Sequence, residues 1–429
     1  MEQSIGIGLL GAGTVGSALI ARLVGESDAI AAKTGLTFDV RKIGVKQLDR
    51  KREFAVTDGL LTGNPFEVVD DPTVDLVVEV MGGMDPAGDL ILAALEAGKP
   101  VVSANKELIA SRGPELIAAA ERAGVPFLFE AAVGGGIPII RPLSETLAGE
   151  RLDRVLGIVN GTTNFILTEM ASEGSTYSSA LAEATDLGYA ETDPTADVSG
   201  ADSAAKAAIL ASLAFGTWVG IDDVYVEGIE ELTTVDMSFA AQFGYVVKLL
   251  AVCERSDAGV SARVHPALIP LDHPLASIRG ATNAIFLEGP TIDSLLFSGP
   301  GAGGGPTATA VLGDVIDAAR ETLAGAQVAP RIRFSSADLI PFTDVLTRWY
   351  VRLQVDDRPG VLARIASGFG DSGVSIRSVW QEGIDDAASL IVVTHAAAES
   401  AQRAALESLR EIDEVIEVAS VIRVLEDGS

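Results

Sequence analysis

The sequence predicts an α/β fold class with three parts: a doubly wound parallel-sheet domain, an α+β domain and a small βαββαβ domain. Up to about residue 140, short β-branched runs alternate with Ala- and Leu-rich helical segments, which is the pattern of βαβ units. Beyond Pro138 the helices are grouped apart from later strands. The chain has 429 residues, which is enough for more than one hydrophobic core.

The first domain, residues 1–138, is predicted from β-branched runs that are each followed by a segment of helical periodicity. Strands connected in this way pair in parallel. The predicted strands are Ile5–Leu10, Val40–Val45, Leu76–Val80, Val101–Ser103 and Phe127–Phe129.

The second domain, residues 139–325, is predicted to place several helices between Thr162 and Phe215 and one long helix over Phe239–Val252. A glycine-rich turn and the helix Thr307–Leu323 are expected to return to the first domain. The predicted strands are Arg154–Val159, Val260–Val264, Ala284–Leu287 and Leu295–Ser298.

Residues 326–347 contain Pro330 and Pro341 without hydrophobic periodicity and are predicted to be a linker. Residues 348–427 are predicted to form a compact strand, helix, strand, strand, helix, strand series, small enough to be a regulatory module. The predicted buried helix faces are Val361, Leu362, Ile365 and Phe369, and Leu406, Leu409 and Ile412.

Charge and cysteine content exclude several classes of function. The formal net charge is −29 and the pI about 4.4, which argues against nucleic acid or membrane partners. The one cysteine, Cys253, allows neither an intrachain disulfide nor a multi-cysteine zinc site. The N-terminus lacks a cleavable signal, and the longest apolar stretch, Ala207–Ile221, is shorter than a membrane span, so we expect a cytoplasmic protein.

A dinucleotide-binding motif follows the first strand directly and opens a helix over Ser17–Leu23. The first glycine permits a tight turn, the second lets the backbone approach a pyrophosphate, and the third allows close helix packing. The helix N-terminus stabilises the phosphate charge. The motif residues are Gly11, Ala12, Gly13, Thr14, Val15 and Gly16.

The second strand is followed by basic residues rather than by the acidic residue that binds the ribose of NAD. Lys46 and Arg50 to Arg52 surround Asp49, and such cations suit a 2′-phosphate. The sequence therefore favours NADP, with NAD possible. The alternative is a solvated basic loop.

Proton transfer is expected from a lysine, because the three histidines, His265, His273 and His395, all lie beyond the nucleotide domain. Lys106 directly follows a predicted strand, at the sheet edge where ligands bind. Asp202 and Lys206 are four residues apart, on one helical face, where a carboxylate can orient an ammonium group. Taken alone, such a pair is usually a surface salt bridge.

The sequence resembles the homoserine dehydrogenase family over both the nucleotide and the second domain. The signature runs from Ala184 through Gly188-Tyr189-Ala190-Glu191 and Asp193-Pro194 to Asp197, Gly200, Asp202 and Lys206, and every position of it is met. Further matching segments are Val78–Gly83, Ser103–Lys106, Glu130–Pro138, Asn160–Asn164 and Gly299–Gly303.

The resemblance implies reversible NAD(P)-dependent interconversion of L-homoserine and L-aspartate 4-semialdehyde, a step of threonine, methionine and isoleucine biosynthesis. Lys206 would be the proton donor, with Asp202 as its partner and Lys106 as a second lysine near substrate and nicotinamide. Glu191 and Asp197 would bind the substrate, and Gly82 and Gly303 would contribute to the cofactor site. A monovalent cation such as sodium would bind Glu130, Val133, Gly135 and Ile137, largely through backbone carbonyls.

The third domain resembles an ACT domain, a type that pairs side by side and binds amino acids at the shared interface. Gly360 lies between the first strand and the first helix, where space for a small ligand is expected. The resemblance implies a homo-oligomer, a dimer or tetramer, that is feedback-regulated by an amino-acid effector. The alternative is a plain dimerisation module.

Two other functions would use parts of the same sequence. A non-catalytic sensor of redox state and amino acid does not need Lys106, Glu191, Asp202 and Lys206 together. An aspartate-semialdehyde dehydrogenase needs a nucleophilic cysteine, and Cys253 lies at the end of a helix-like apolar run, away from the predicted nucleotide-domain loops.

Overall fold

The protein is described by a computed structural model covering residues 4–52, 54–325, 331–384 and 387–425. Its strands are β1 Ser4–Leu10, β2 Thr37–Gly44, β3 Leu61–Thr62, β4 Leu76–Glu79, β5 Val101–Ser103, β6 Phe127–Leu128, β7 Arg154–Ile158, β8 Tyr225–Val226, β9 Tyr245–Ser256, β10 Gly259–Pro270, β11 Thr282–Gly289, β12 Asp293–Pro300, β13 Leu346–Asp356, β14 Ile376–Ile384, β15 Ala387–Thr394, β16 Ala397–Ala398 and β17 Val415–Val424.

The α-helices connect these strands. They are α1 Thr14–Gly25, α2 Ser27–Thr34, α3 Phe66–Asp70, α4 Ala87–Glu96, α5 Lys106–Ala123, α6 Gly161–Ser172, α7 Tyr177–Asp186, α8 Thr195–Val198, α9 Ala201–Phe215, α10 Thr234–Gln242, α11 Gly304–Ala324, α12 Val361–Asp371 and α13 Glu399–Arg410. None of the described helices is long and apolar enough to cross a membrane.

The chain divides into two compact units. The first comprises Met1–Val155, Ala205–Ile221 and Thr282–Ser336. Its main sheet is parallel, with the strand order β3-β2-β1-β4-β5-β6, which is the order of a doubly wound nucleotide-binding sheet. The fold class predicted for this part is confirmed, although the two-residue strand β3 was not predicted.

The first unit's core includes a helix from far along the chain. In α11, Ala308, Val311 and Val315 are fully buried in the same apolar cluster as Leu19 of α1 and Leu9 of β1. Helix α11 therefore packs in the same core as the first strand and the first helix of the nucleotide sheet. Strands β11 and β12 precede it as an antiparallel hairpin.

The second unit comprises Leu156–Ala204, Asp222–Ala281 and Ala337–Ser429. Its helices α6 to α8 and the first turn of α9 follow β7, as predicted for an α+β domain. The predicted long helix over Phe239–Val252 is wrong. Helix α10 ends at Gln242, and β9 then pairs antiparallel with β10 along its whole length. An unbroken apolar run does not by itself distinguish a buried strand from a helix.

The predicted βαββαβ order of the third domain is confirmed. Its antiparallel sheet has the order β17-β13-β15-β14, and α12 and α13 pack on one face. Val361, Ile365 and Phe369 are buried there as predicted, whereas Leu362 is 45% exposed. On the opposite face, Arg352 of β13 forms a buried ion pair with Asp236 of α10 at 3.0 Å.

The predicted linker is partly ordered by backbone hydrogen bonds. Residues 326–330 lie outside the described residues. Beyond them, the N–H of Val260 donates to the carbonyl of Asp338 (2.9 Å), and the N–H of Ile340 donates to the carbonyl of Val260 (2.8 Å). Strand β13 begins at Leu346, inside the predicted linker.

A buried lysine lies in the second unit behind α6. Lys248 of β9 is 2% exposed and donates to Asn164 Oδ1 (2.8 Å) and to the carbonyl oxygen of Ile278 (2.5 Å). Burial, with a smaller contribution from the nearby Arg279, lowers the pKa of Lys248 to about 8. Its two acceptors offset part of the cost of burying the ammonium group.

Candidate active site

The glycine-rich loop joins β1 to α1 in the first unit. Gly11 has a φ of 106°, and a Cβ there would lie 2.8 Å from the carbonyl oxygen of Val80. A Cβ on Gly16 would lie 2.4 Å from the Gly11 oxygen. Gly13, in contrast, has no atom within 4 Å of the position of an added Cβ. The loop is therefore close-packed at Gly11 and Gly16 and open at Gly13, where a ligand can approach the backbone.

A cleft of about 510 Å³ extends from this loop to the basic segment after β2. Lys46 and Arg50 line it. Arg52 also lines it, but its guanidinium donates to the carbonyls of Leu48 (3.1 Å) and Arg50 (2.8 Å). Arg52 thus shapes the loop, while Lys46 and Arg50 supply positive charge to the cleft.

A buried carboxyl group joins the ends of two neighbouring parallel strands, β4 and β5. Glu79, at the end of β4, is fully buried and accepts hydrogen bonds from Ser103 Oγ (2.6 Å) and from the backbone N–H groups of Met81 (2.9 Å) and Gly82 (3.1 Å). Burial raises the pKa of Glu79, and these donors oppose that effect. The loop containing Gly82 is therefore fixed to the end of β5.

The same network continues to Lys106. Asn105 donates through Nδ2 to the carbonyl of Gly83 (2.7 Å), and its Oδ1 caps α5 by accepting from the N–H of Leu108 (3.2 Å). Lys106 is the first residue of α5 and is half-buried. The orientation of this lysine's helix therefore depends on Glu79 and Asn105.

The segment predicted to hold a cation is built around Glu130. Its carboxylate accepts hydrogen bonds from three successive N–H groups, those of Ile139 (2.5 Å), Ile140 (2.8 Å) and Arg141 (2.8 Å). Its own N–H donates to Asp314 (2.7 Å), whose pKa burial raises to about 7. The described residues contain no cluster of three or more His, Cys, Asp or Glu side chains that could hold a metal ion.

Backbone packing defines the rest of this segment. Gly135 has a φ of 55°, and a Cβ there would lie 2.4 Å from the carbonyl oxygen of Gly301. Val133 and Ile137 are buried on either side of it. Gly303, two residues after Gly301, is the N-cap residue of α11 with a φ of 111°. The predicted cation-binding residues and Gly303 thus belong to neighbouring loops of the first unit.

In the second unit, one amide brings two predicted carboxylates together. Asn160 is the N-cap residue of α6, and its Nδ2 donates to Asp197 Oδ1 (2.6 Å) and to Asp202 Oδ2 (2.9 Å). Glu191 is exposed, two residues after Tyr189, whose carbonyl accepts from Thr162 Oγ1 (2.7 Å). The segment that carries Glu191 is therefore anchored to α6 as well.

Lys206 lies on α9, one helical turn after Asp202. Its side chain is largely buried, with the residue 9% exposed. Lysine is among the residues that are least often buried without a partner or a function.

The predicted effector residue, Gly360, is the N-cap residue of α12 with a φ of 96°. No atom lies within 4 Å of the position of an added Cβ there.

Two residues whose hydrogen bonds position the site lie within the matching segments of the sequence, but the sequence alone assigned them no role. Glu79 is an acidic residue within an otherwise apolar buried strand, and Asn160 occupies an N-cap position at the end of a strand. In the sequence, both could have been identified as polar residues at the end of an apolar strand, since buried polar groups need hydrogen-bond partners.

Comparison with known families assigns all three parts of the chain. The profile described as homoserine dehydrogenase matches residues 138–316, and that of the homoserine dehydrogenase NAD-binding domain matches residues 11–130. The ACT domain profile matches residues 349–414.

Whole-chain comparisons agree. A homoserine dehydrogenase of Corynebacterium glutamicum is 48% identical over 99% of this chain and 96% of its own length. The crystal structure of a homoserine dehydrogenase from Thiobacillus denitrificans has a TM-score of 0.93 at 40% identity and covers 99% of both chains. A hyperthermophilic archaeal homoserine dehydrogenase in complex with NADPH has a TM-score of 0.61 at 28% identity, covering 76% of this chain and 100% of its own.

The contrast between Gly11 and Gly13 gives the first prediction. Gly13→Ala should leave the unfolding temperature of the free protein within about 2 °C of wild type, because its Cβ enters open space. It should weaken NADPH binding at least about ten-fold, because the pyrophosphate needs that space. Gly11→Ala should destabilise the fold by about 1–3 kcal/mol, since its Cβ meets backbone atoms at positive φ.

Thermal unfolding without cofactor and fluorescence titration with NADPH measure the two effects. A Gly13→Ala protein with wild-type affinity for NADPH would contradict the prediction.

Proposed function

The chain belongs to the homoserine dehydrogenase family of NAD(P)-dependent oxidoreductases, and on that basis we propose which of its side chains carry the reaction. The nicotinamide cofactor, when bound, exchanges a hydride with the substrate carbon. The substrate pair is L-aspartate 4-semialdehyde and L-homoserine. The protein must then supply a proton for the oxygen, a binding group for the substrate ammonium and a fixed orientation of both.

Lys206 is the proposed proton donor. When the aldehyde is reduced, negative charge develops on its oxygen, and a nearby ammonium group stabilises that charge and then transfers its proton to the oxygen. In the direction of homoserine oxidation, neutral Lys206 accepts the same proton. The observation that best supports this role is the burial of Lys206, one turn after Asp202 in the family signature.

Asp202 is the proposed partner that orients Lys206, because a spacing of four residues places both on one face of α9. Glu191 and Asp197 are the proposed substrate-binding carboxylates, since a zwitterionic substrate needs a negative group for its amine. The anchoring of Asp197 by Asn160 supports this role, because a fixed carboxylate binds with less loss of side-chain entropy.

Lys106 is proposed as a second lysine beside substrate and nicotinamide. Its support is its place at the start of α5, immediately after β5, where the ends of parallel strands form ligand sites. Gly82 and Gly303, both at positive φ, are proposed to contribute backbone to the cofactor site.

NADP is the proposed preferred cofactor. Lys46 and Arg50 line the cleft that begins at the glycine-rich loop, and cationic side chains there can bind a 2′-phosphate. The archaeal relative in complex with NADPH also supports this preference.

A monovalent cation is proposed to bind near Glu130, Val133, Gly135 and Ile137. The hydrogen bonds that the Glu130 carboxylate accepts from three N–H groups leave its backbone carbonyl as the better candidate ligand. The close-packed turn at Gly135 fits a site built from carbonyl oxygens, which are ligands that hard cations prefer. The proposed contribution of the cation is to stiffen these loops.

The ACT domain is proposed to bind an amino-acid effector next to Gly360, in a homo-oligomer that pairs the domains of two copies. Open space beside Gly360 and the N-terminus of the eleven-residue helix α12 support a site for a small carboxylate. An effector changes activity only if it binds one arrangement of the oligomer more tightly, and such coupling is typically about 1–3 kcal/mol.

The assignment of Lys206 predicts that Lys206→Ala lowers kcat by at least about 10²-fold while NADPH affinity stays unchanged. Lys206→Arg should also fail, because a guanidinium does not release its proton near neutral pH. Lys33→Ala, at an exposed lysine of α2, is the control and should be fully active. Initial rates of homoserine oxidation measure kcat. A Lys206→Ala variant with more than about a tenth of wild-type activity would contradict the assignment of Lys206 as proton donor.

The cofactor proposal predicts that a Lys46→Gln/Arg50→Gln variant raises the KM for NADP at least about ten-fold and that for NAD less than about two-fold. Only NADP carries the phosphate that these cations would bind. Arg52→Gln should instead weaken the binding of NADP and of NAD to a similar degree, since Arg52 shapes the loop. Equal effects of the double substitution on the KM values of both cofactors would show that neither side chain contacts the 2′-phosphate.

The effector proposal predicts that Gly360→Leu abolishes inhibition by added L-threonine, the amino acid used as the probe, and leaves uninhibited activity unchanged. Gly373→Leu is the matched control, because Gly373 also has a positive φ of 75° and open space around it, but follows α12. It should keep wild-type inhibition. An unchanged inhibition curve for Gly360→Leu would place any threonine site elsewhere.

A further inference from the structure

Asn160 uses the full hydrogen-bonding capacity of its side-chain amide. It is 5% exposed and lies between β7 and α6. Its Oδ1 accepts from the N–H of Thr163 (2.8 Å) and from Thr163 Oγ1 (3.0 Å). Its Nδ2 donates to Asp197 (2.6 Å) and Asp202 (2.9 Å). A primary amide has two N–H donors and one oxygen with two lone pairs, so the group is saturated.

The oxygen and the nitrogen of this amide have different structural roles. The oxygen caps α6, as an N-cap side chain normally does. The nitrogen joins two carboxylates from different elements: Asp197 is in the short helix α8, and Asp202 is in the first turn of α9. Because both oxygens contact one nitrogen atom, they lie roughly 5 Å apart.

Two carboxylates at that separation repel each other. A neutral group that donates one N–H to each bridges them without adding charge. Aspartate at this position would bring a third carboxyl group, and serine has only one O–H to donate. Among side chains that also cap a helix, asparagine is therefore the one that suits this place.

We propose that Asn160 is a positioning residue for the dehydrogenase reaction. It fixes the carboxylate that binds the substrate, Asp197, relative to the carboxylate that orients the proton-transferring lysine, Asp202. The inference rests on the roles given to these two aspartates in the proposed function. It adds that one amide nitrogen, by donating to both, helps to fix their relative position.

Three substitutions separate this role from helix capping. Asn160→Ser and Asn160→Asp both keep a good N-cap residue and lose the bridging N–H donors, whereas Asn160→Ala loses both functions. Thr176→Ala is the matched control for a lost cap, because Thr176 caps α7 through the N–H of Ser179 (3.3 Å) and has no proposed part in the reaction.

The Ser and Asp variants are expected to unfold within about 3 °C of wild type and to lose at least about ten-fold in kcat/KM for homoserine, with Asp the more severe. The KM for NADP should not change. In the direction of aldehyde reduction, where Lys206 must be protonated, the acid limb of the activity profile should move to higher pH in both, because N–H donors favour the ionised form of a carboxylate. Thr176→Ala should lower only the unfolding temperature.

Wild-type kcat/KM and pH profile in Asn160→Ser or Asn160→Asp would overturn the inference. So would an activity loss that merely follows the unfolding temperature across all the variants, or one without a shift of the acid limb of aldehyde reduction.

Asp202→Asn and Asp197→Asn, measured alongside, separate the proposed roles of the two aspartates from the positioning role of Asn160. If both retain full activity, the proposed roles of the aspartates fail. If they are impaired while Asn160→Asp is not, only the inference about Asn160 fails.

Discussion

The cost of burying a carboxyl group without hydrogen-bond partners is the constraint on which the nucleotide-binding half of this enzyme depends. Glu79 is fully buried at the end of β4, and the cost of burying its carboxyl group is offset by hydrogen bonds with a serine hydroxyl and two backbone N–H groups. Those donors come from the loop after β4 and from the end of β5. The hydrogen bonds of Glu79 therefore fix the loop at Gly82 to the ends of both strands. Asn105 extends this network to the helix that begins with Lys106.

The second unit meets the same requirement with a neutral group. Asn160 joins two carboxyl groups from different elements, whereas Glu79 joins neutral donors from two elements around one carboxyl group. In both cases a polar side chain at the end of a strand is fully hydrogen-bonded, which restricts its rotamer and thereby the loops that it contacts. A site that must orient an aldehyde, an amine and a hydride donor together benefits from such restriction.

The motifs and most strands could be predicted because glycine spacing, strand–loop–helix order and the family signature are local features of the sequence. Three features could not. The run Tyr245–Val252 has no alternation, and only its pairing with β10 makes it a strand. The contacts of Glu79 and Asn160 depend on which strand ends meet, which is set by topology. Leu362 was misassigned because a helix face predicted from spacing alone is uncertain by one position at its edge.

Strand β10 shows how closely the ACT domain is integrated into the second unit. One edge of β10 pairs with β9, and three short segments share the other: Leu339 at Val260, β8 at Arg263 and Val264, and β17 at Ala267 and Leu268. Two of these three segments lie after residue 336. A chain cut before them would expose unpaired backbone on a long apolar strand, a template for aggregation. Protection of this strand is thus a reason to retain the C-terminal module that does not depend on any effector.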